Sequence, residues 1–380
     1  MSNPRSFRSP ALQVLDATVP ATSVLSGRVL LHEESRFIPH QRGAVDNERG
    51  GVVMTGNTAD DRALRLRTEA AFTGAMLIDS APYKTYTATA EQPFLLPSDE
   101  LFPSVDLSLG FQKARGASAA ITPTGYIAPG DSKALKAVIR EASLIERADT
   151  VVSLPIDVTW LRDDRVDQLI AACARISQPK ALVMIAQFDP LKQSKELPGN
   201  LRRVVSEVEN MMLLRTDLAG LEAMVHGALC AGIGISSTVR HSVAPGEKPA
   251  VNKPGPNYPS VLMPELMRFS GAEALSNRYA NADAPPCYCA VCDGRGIDRF
   301  LGTDRDTRIE AGDHNVLTWS AWVEEMASTT PGLQRKTWWR DKCAAAIDNY
   351  ALENQRLGLS TKKGFQPPLP LCAWATLPVS

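Results

Sequence analysis

Three cysteines, Cys287, Cys289 and Cys292, stand within six residues in Cys-Tyr-Cys-Ala-Val-Cys, and His314 follows in Asp-His-Asn. Three thiolates and one imidazole complete a tetrahedral shell for Zn²⁺ and leave no position for water. A closed shell is structural, so the expectation is a zinc ion that staples a subdomain. The cluster takes three of the chain's seven cysteines, which sets it apart from unrelated thiols beside a surface histidine. Cys173, Cys230, Cys343 and Cys372 are scattered, several in apolar surroundings. They read as buried free thiols, without a disulfide framework, and point to a reducing compartment.

A second set of polar residues closes a series of apolar runs: Asp79-Ser80, Thr122, Asp157, Gln187, Asp217 and Ser236-Ser237. If those runs are barrel strands, these residues gather at the C-terminal mouth, where catalytic groups come from different strands. Asp, Ser and Thr also cap the helix that follows a strand, and Asp217, just before Leu218, is especially cap-like. The stretch from Ser236 to His241 offers hydroxyls, backbone amides, Arg240 and an imidazole, which suit phosphate. Lys248 and Lys253 could join that patch, and His241 also suits proton transfer. The same stretch fits a capped turn with an exposed Arg-His pair.

The elements that must position these groups are legible as short apolar runs. Candidate strands are 28–32, 52–55, 75–79, 118–122, 150–156, 181–187, 211–216 and 230–235. Most are continuous in Val, Ile, Leu, Met and Ala, as in parallel strands covered on both faces. Helices are expected over 133–148, from Asp163 or Asp164 through Cys173, and over 201–208 and 218–226, with Asp131 or Ser132 as the first cap. Eight strands with interleaved helices predict an α/β fold, a (β/α)₈ TIM barrel. An open doubly wound sheet is the alternative, but no Gly-x-Gly-x-x-Gly turn follows a strand where a dinucleotide fold needs one.

Composition changes after Ser242, where Val243–Pro259 is rich in proline and glycine and reads as a long surface loop over the mouth. A short helix is expected at 263–268, and further helices at 316–327 and 337–357. The expected division is an N-terminal extension at 1–25 and a barrel made of 26–270 and 315–357. A zinc-binding subdomain at 271–314 lies near the C-terminal end, and a tail at 358–380 completes the chain. Arg335, Lys336, Trp338, Trp339, Arg340 and Lys342, with Lys362 and Lys363, could contact a polynucleotide. The two tryptophans also suit anchoring of a helix on the core.

The chain has 380 residues, 44% hydrophobic and 22% charged, with a formal charge of −1. That balance excludes a chain-wide attraction to polyanions, so any nucleic-acid contact must come from a local patch. No run approaches the roughly 18–20 apolar residues that cross a bilayer, and the N-terminus lacks a secretory apolar core. No membrane contact is expected, and the expected location is cytoplasmic.

The Cys-x-Cys-x-x-Cys run, its place after the barrel and the following His314-Asn315 resemble the tRNA-guanine transglycosylase superfamily, with a slightly shorter spacer before the histidine. Met76-Leu77-Ile78-Asp79-Ser80 is similar to that family's strand ending in Asp-Ser, and Ile185-Ala186-Gln187 to a strand whose glutamine contacts the heterocycle. The resemblance spans about residues 28–357. It implies a (β/α)₈ barrel with a zinc-bearing insertion and a base-exchange reaction. Guanine in a polynucleotide would be replaced by a 7-deazaguanine such as preQ0. By the same resemblance Asp79 serves acid–base and purine-reading roles, Tyr83 stacks on the base, and Ser80, Asp157 and Gln187 add base contacts.

Two departures from the family bear on activity. The family's Asp-Ser-Gly-Gly-aromatic stretch becomes Asp79-Ser80-Ala81-Pro82-Tyr83. The last strand, ending Ile235-Ser236-Ser237, lacks the family's nucleophilic aspartate, so either Asp217, one strand earlier, supplies the nucleophile, or the mechanism differs, or the protein is inactive in exchange. The implied partners are nucleic acid, with DNA slightly preferred over tRNA, and a 7-deazaguanine base, with a protein partner or a homodimer also open. The alternatives are a non-catalytic, zinc-stabilised paralogue and N-glycosyl transfer on free nucleosides.

Overall fold

The computed structural model describes residues 19–97, 103–249, 255–360 and 362–379. Among them, eight parallel strands make the expected barrel: β1 (Arg28–Glu34), β2 (Gly51–Thr55), β3 (Ala75–Asp79), β4 (Ala120–Ile121), β5 (Thr150–Asp157), β6 (Lys180–Ile185), β7 (Met211–Thr216) and β8 (Cys230–Gly234). Their order is β3-β2-β1-β8-β7-β6-β5-β4, so β8 returns to pair with β1. Helices follow on the outside, including Ala59–Thr68, Val105–Ala114, Ser132–Ala142, Val166–Cys173, Leu197–Glu207 and Ala219–Val225.

The two end strands of that order are joined by Ser118, just before β4, through its backbone and its side chain. Ser118 N–H donates to the Met76 carbonyl at 2.7 Å. Its Oγ accepts from Met76 N–H at 3.0 Å and from Arg67 Nη2 at 3.0 Å. β4 is only two residues long because Pro123, which has no N–H, ends the ladder soon after it starts.

Alternation along each strand divides the core in two. Leu30, Val53, Leu77, Ile121, Val151, Val183, Met212 and Leu214 fill the cylinder. Leu31, Val52, Met54, Met76, Ile78, Leu154, Leu182, Leu213 and Ile233 face the helices.

The chain leaves the barrel after β8. β9 (Ser260–Met263) and β10 (Arg268–Gly271) form an antiparallel hairpin, where a helix over 263–268 was expected. Pro264 opens the turn and Met267 lies at φ +45°, a left-handed conformation that ends any right-handed helix. After the cysteine cluster, helix Arg305–Ser328 returns to pack on β9 and β1. It begins well before the expected Val316, capped by Asp304, whose carboxylate accepts from Thr307 N–H. No residue from Arg305 to Glu310 is buried and all but Ile309 are polar, so those first turns carry no apolar periodicity to read.

Helix Leu333–Arg356 is anchored by the fully buried Trp339, whose Nε1 donates to Glu222 Oε2 at 2.7 Å. Lys342 lies over the rings of Trp322 and Trp338 and pairs with Glu325. Trp339 therefore holds this helix on the barrel, and Lys342 ties it to helix Arg305–Ser328. No helix among the described residues is long and apolar enough to cross a membrane. Residues 1–18 of the expected N-terminal extension, and Lys253 of the expected loop, lie outside the described residues.

Candidate functional site: a Cys3His cluster and the barrel mouth

The sulfur atoms of Cys287, Cys289 and Cys292 lie 3.5, 3.6 and 3.4 Å from His314 Nδ1. All four ligand atoms fall within 4.8 Å of one another, a cluster that can hold a metal ion. With Zn–S near 2.3 Å and Zn–N near 2.0 Å, a tetrahedron has S···N edges of about 3.5 Å. The observed spacings fit that edge. The imidazole's Nε2 faces the Leu262 carbonyl at 2.8 Å, which places the ring proton there and leaves Nδ1 bare for a metal.

The surroundings hold the ligands in place. Asn315 Oδ1 accepts from Leu262 N–H at 2.7 Å, and its Nδ2 donates to the Ser260 carbonyl at 2.7 Å. Arg299 Nη2 reaches Cys292 Sγ at 3.7 Å while its Nη1 pairs with Glu310 at 2.7 Å. The cluster thus ties the cysteine loop to β9 through consecutive residues of one long helix.

At the other end of the molecule's chemistry, Asp79 closes β3 inside the barrel mouth. Ala81, at φ +51°, turns the chain back sharply. Asp79 Oδ1 therefore accepts from Ala81 N–H at 2.9 Å and Oδ2 from the Tyr83 hydroxyl at 2.6 Å. Tyr83 is fully buried. Burial and the Asp79 charge push its pKa well above the ordinary value, so it remains a donor. Its ring belongs to the barrel's inner core and is not presented for stacking. Ser80 is exposed beside it.

Two further residues converge on Asp79. His32, on β1, places Nε2 at 3.6 Å from Asp79 Oδ2, and Arg215, on β7, places Nη1 at 4.0 Å. Both exceed hydrogen-bond length. Neither ring nitrogen of His32, nor Nε or Nη1 of Arg215, makes a hydrogen bond. His32 is held well below its usual pKa by burial first, then by the Arg215 and Lys84 charges, so it is neutral near pH 7. Gly232, on the neighbouring strand, makes room for Leu214, since a Cβ there would sit 2.8 Å from Leu214 Cδ2. Sequence reading missed both His32 and Arg215. The available signal was a charged or imidazole side chain inside an otherwise apolar strand.

The remaining expected residues are placed as follows. Asp157 Oδ2 accepts from the Tyr126 hydroxyl at 2.8 Å, and its Oδ1 caps Thr159 N–H at 2.9 Å. Gln187 Nε2 donates to Glu247 Oε2 at 2.8 Å and to the Lys248 carbonyl at 3.2 Å, holding the loop after Ser242 over β6. Asp217 Oδ1 caps Ala219 N–H at 2.9 Å.

Ser236 Oγ and Thr238 Oγ1 pair at 2.9 Å, with Ser237 exposed between them. Arg240 is buried. Its Nη1 donates to the carbonyls of Gly234 and Ile235, its Nη2 donates to Ser260 Oγ at 2.8 Å, and the guanidinium stacks 4.0 Å from the Phe269 ring centre. These bonds turn it away from solvent. Its pKa falls to about 10 through burial.

Two adjoining hollows result. A cavity of about 890 Å³ at the mouth is lined by Lys84, Phe188, Asp189, Lys192, Arg215 and Thr238 among others. A second, of about 520 Å³, lies between the barrel rim and the C-terminal segment, and Asp217 and Arg240 line it. Asp189, Lys192 and His241 line both. Burial and the nearby Asp217 raise Asp189 to about 6. Burial lowers His241 to about 4, against the pull of Asp217.

No family model matches the chain, and no curated protein does. Among solved structures, a tryptophan synthase α-subunit mutant from Pyrococcus furiosus is 11% identical with a TM-score of 0.34, covering 56% of this chain and 88% of that one. Dihydrodipicolinate synthase from Aquifex aeolicus is 11% identical with a TM-score of 0.34, covering 92% and 95%. At that level of similarity the fold assignment stands on the strand order and pairing described above.

Proposed function

We propose that this chain is a base-exchange transglycosylase-like enzyme acting on guanine in a polynucleotide, with DNA slightly preferred over tRNA, and that it installs a 7-deazaguanine such as preQ0. The observation that carries this reading is the pairing, in one chain, of a Cys3His cluster inserted after the last barrel strand with an inward carboxylate at the end of the third. Zn²⁺ suits the cluster, and four protein ligands leave it a structural role. The free thiols, three of them fully buried outside the cluster, favour a reducing, cytoplasmic setting.

In this reading a carboxylate bonds to the anomeric carbon as the glycosidic bond breaks, and the bond's electron pair passes to the departing guanine nitrogen, which takes a proton. The incoming base then loses its proton, attacks the same carbon and releases the carboxylate. Asp79, oriented by Ala81 N–H and the Tyr83 hydroxyl, supplies the acid–base and base-reading part. Asp217 is the carboxylate available for the covalent part. The mouth cavity is of a size for a purine and its sugar.

The test is release of labelled guanine from DNA and from tRNA by pure protein in the presence of a 7-deazaguanine. Asp79→Asn should abolish exchange while leaving metal content unchanged. Exchange at the wild-type rate by that variant would exclude the assigned site.

One observation favours a second reading, a non-catalytic paralogue that binds nucleic acid or a catalytic partner. Asp217 is a helix cap and lines the adjoining cleft in place of the mouth cavity. Turnover only when cell extract is added would select that reading.

A further inference from the structure

Arg215 sits at a defect in the barrel. The register between β7 and β8 shifts between Leu213 and Thr216, and Arg215 adopts φ +56°. A bulge of this kind re-aims a side chain, and a left-handed conformation at a non-glycine residue is retained only where the surroundings impose it. The result is a buried guanidinium on the floor of the mouth cavity.

Nη2 donates to the Thr238 carbonyl at 2.6 Å, whereas Nε and Nη1 find no acceptor. Asp79, the nearest carboxylate, is 4.0 Å away and already accepts from two other donors. A buried donor without an acceptor is unfavourable, so the floor is short of an oxygen that a ligand can bring.

The walls point to the kind of oxygen. Lys84, Lys192 and Arg215 line the cavity with one carboxylate, Asp189, and Asp79 lies beneath. Three cations against two carboxylates leave one positive charge in surplus. The hydroxyls of Ser237 and Thr238, from the segment after β8, line the same space. Donors after the seventh and eighth strands are where barrels commonly hold phosphate. Beside them Phe188 is 57% exposed at the cavity wall, an arrangement suited to stacking on a flat ring.

We propose that the mouth cavity binds a phosphate ester carrying a planar ring, with Arg215, Lys84 and Lys192 on the phosphate and Phe188 on the ring. Arg215 is the anchor, in place of Arg240, whose guanidinium is turned to the Gly234 and Ile235 carbonyls and Ser260. This site does not depend on base exchange, and it would serve a nucleotide unit in a strand or a free nucleotide equally.

The test is calorimetric titration of the full chain at low salt with guanosine 5′-monophosphate, guanosine and inorganic phosphate. The monophosphate should bind at least tenfold more tightly than guanosine, and inorganic phosphate should compete with it. Lys84→Gln, at a solvent-accessible position, should weaken the monophosphate several-fold with unfolding unchanged. Arg215→Gln should remove most of the phosphate-dependent gain. Phe188→Ala should weaken the monophosphate and leave inorganic phosphate unaffected.

Equal affinities for guanosine and its monophosphate would overturn the proposal. So would wild-type monophosphate affinity in Lys84→Gln, which decides the matter if Arg215→Gln does not fold. Tight monophosphate binding without any base exchange would sink the exchange reading alone. Exchange with equal affinities would sink this one alone.

Discussion

The hydroxyl of Tyr83 donates to Asp79 Oδ2 at 2.6 Å within a fully buried pair, four residues apart across a sharp turn. This bond sets which way the carboxylate faces at the barrel mouth. It also uses a side chain whose sequence position suggested an exposed stacking surface.

Removing that hydroxyl with Tyr83→Phe leaves the buried carboxylate one donor short while the ring still fills its place. The expected cost is about 1–3 kcal/mol in equilibrium unfolding by denaturant. Base exchange, where present, should fall with it. Unchanged unfolding would mean that the bond contributes nothing net.

Metal removal should separate the subdomain from the barrel. One equivalent of zinc per chain is expected by elemental analysis, and a strong chelator should lower the unfolding temperature. His314→Ala should lose stoichiometric metal. Asn315→Ala, which touches no ligand atom but clamps Leu262 and Ser260, should keep the metal at an affinity lower by about 10–100-fold. Full zinc occupancy in His314→Ala would refute the assignment of the fourth ligand.

Glu33 gives the protein a pH dependence of known sign. Burial raises its carboxyl from the ordinary 4.5 to about 7, with the neighbouring backbone N–H of Glu34 and the Arg240 charge opposing. The folded state therefore keeps a proton that the unfolded chain has lost. Stability from this group is fully present below about pH 4.5 and disappears as the pH rises through 7. The amount is of the order of 3 kcal/mol. Glu33→Gln keeps the acceptor for Glu34 N–H and cannot ionise. Its stability relative to wild type should rise between those pH values and level off above them. Because Asp189 titrates in the same direction, the quantity to compare is the difference between the two proteins' denaturation curves.

Ser118→Ala tests the closure of the cylinder. It strips the acceptor from Met76 N–H and from Arg67 at the seam between β3 and β4. A loss of about 1–3 kcal/mol is expected, with faster amide exchange at Met76 and its neighbours. Exchange rates equal to wild type at this seam would show that Ser118 does not hold it.

Much of the architecture was written in local patterns. The apolar runs at 52–55, 75–79 and 211–216 coincide with β2, β3 and β7, because a parallel strand buried on both faces has to be apolar along its whole length. The first turns of helix Arg305–Ser328 and the hairpin at 260–271 were not legible. A polar helix end with no buried residue has no periodicity, and the left-handed Met267 has no marker in residue type.

The metal quartet is the strongest thing the residues specified unaided, since three thiols within six positions can converge with almost no help from the rest of the chain. The floor of the mouth is the opposite case. His32, Asp79 and Arg215 lie far apart in sequence and meet only because closing eight strands into a cylinder points alternate side chains of β1, β3 and β7 toward one axis. Arg215 needs in addition an extra residue in its strand to turn inward. Convergence of that kind is a property of register and closure, and neither has a signature in residue order.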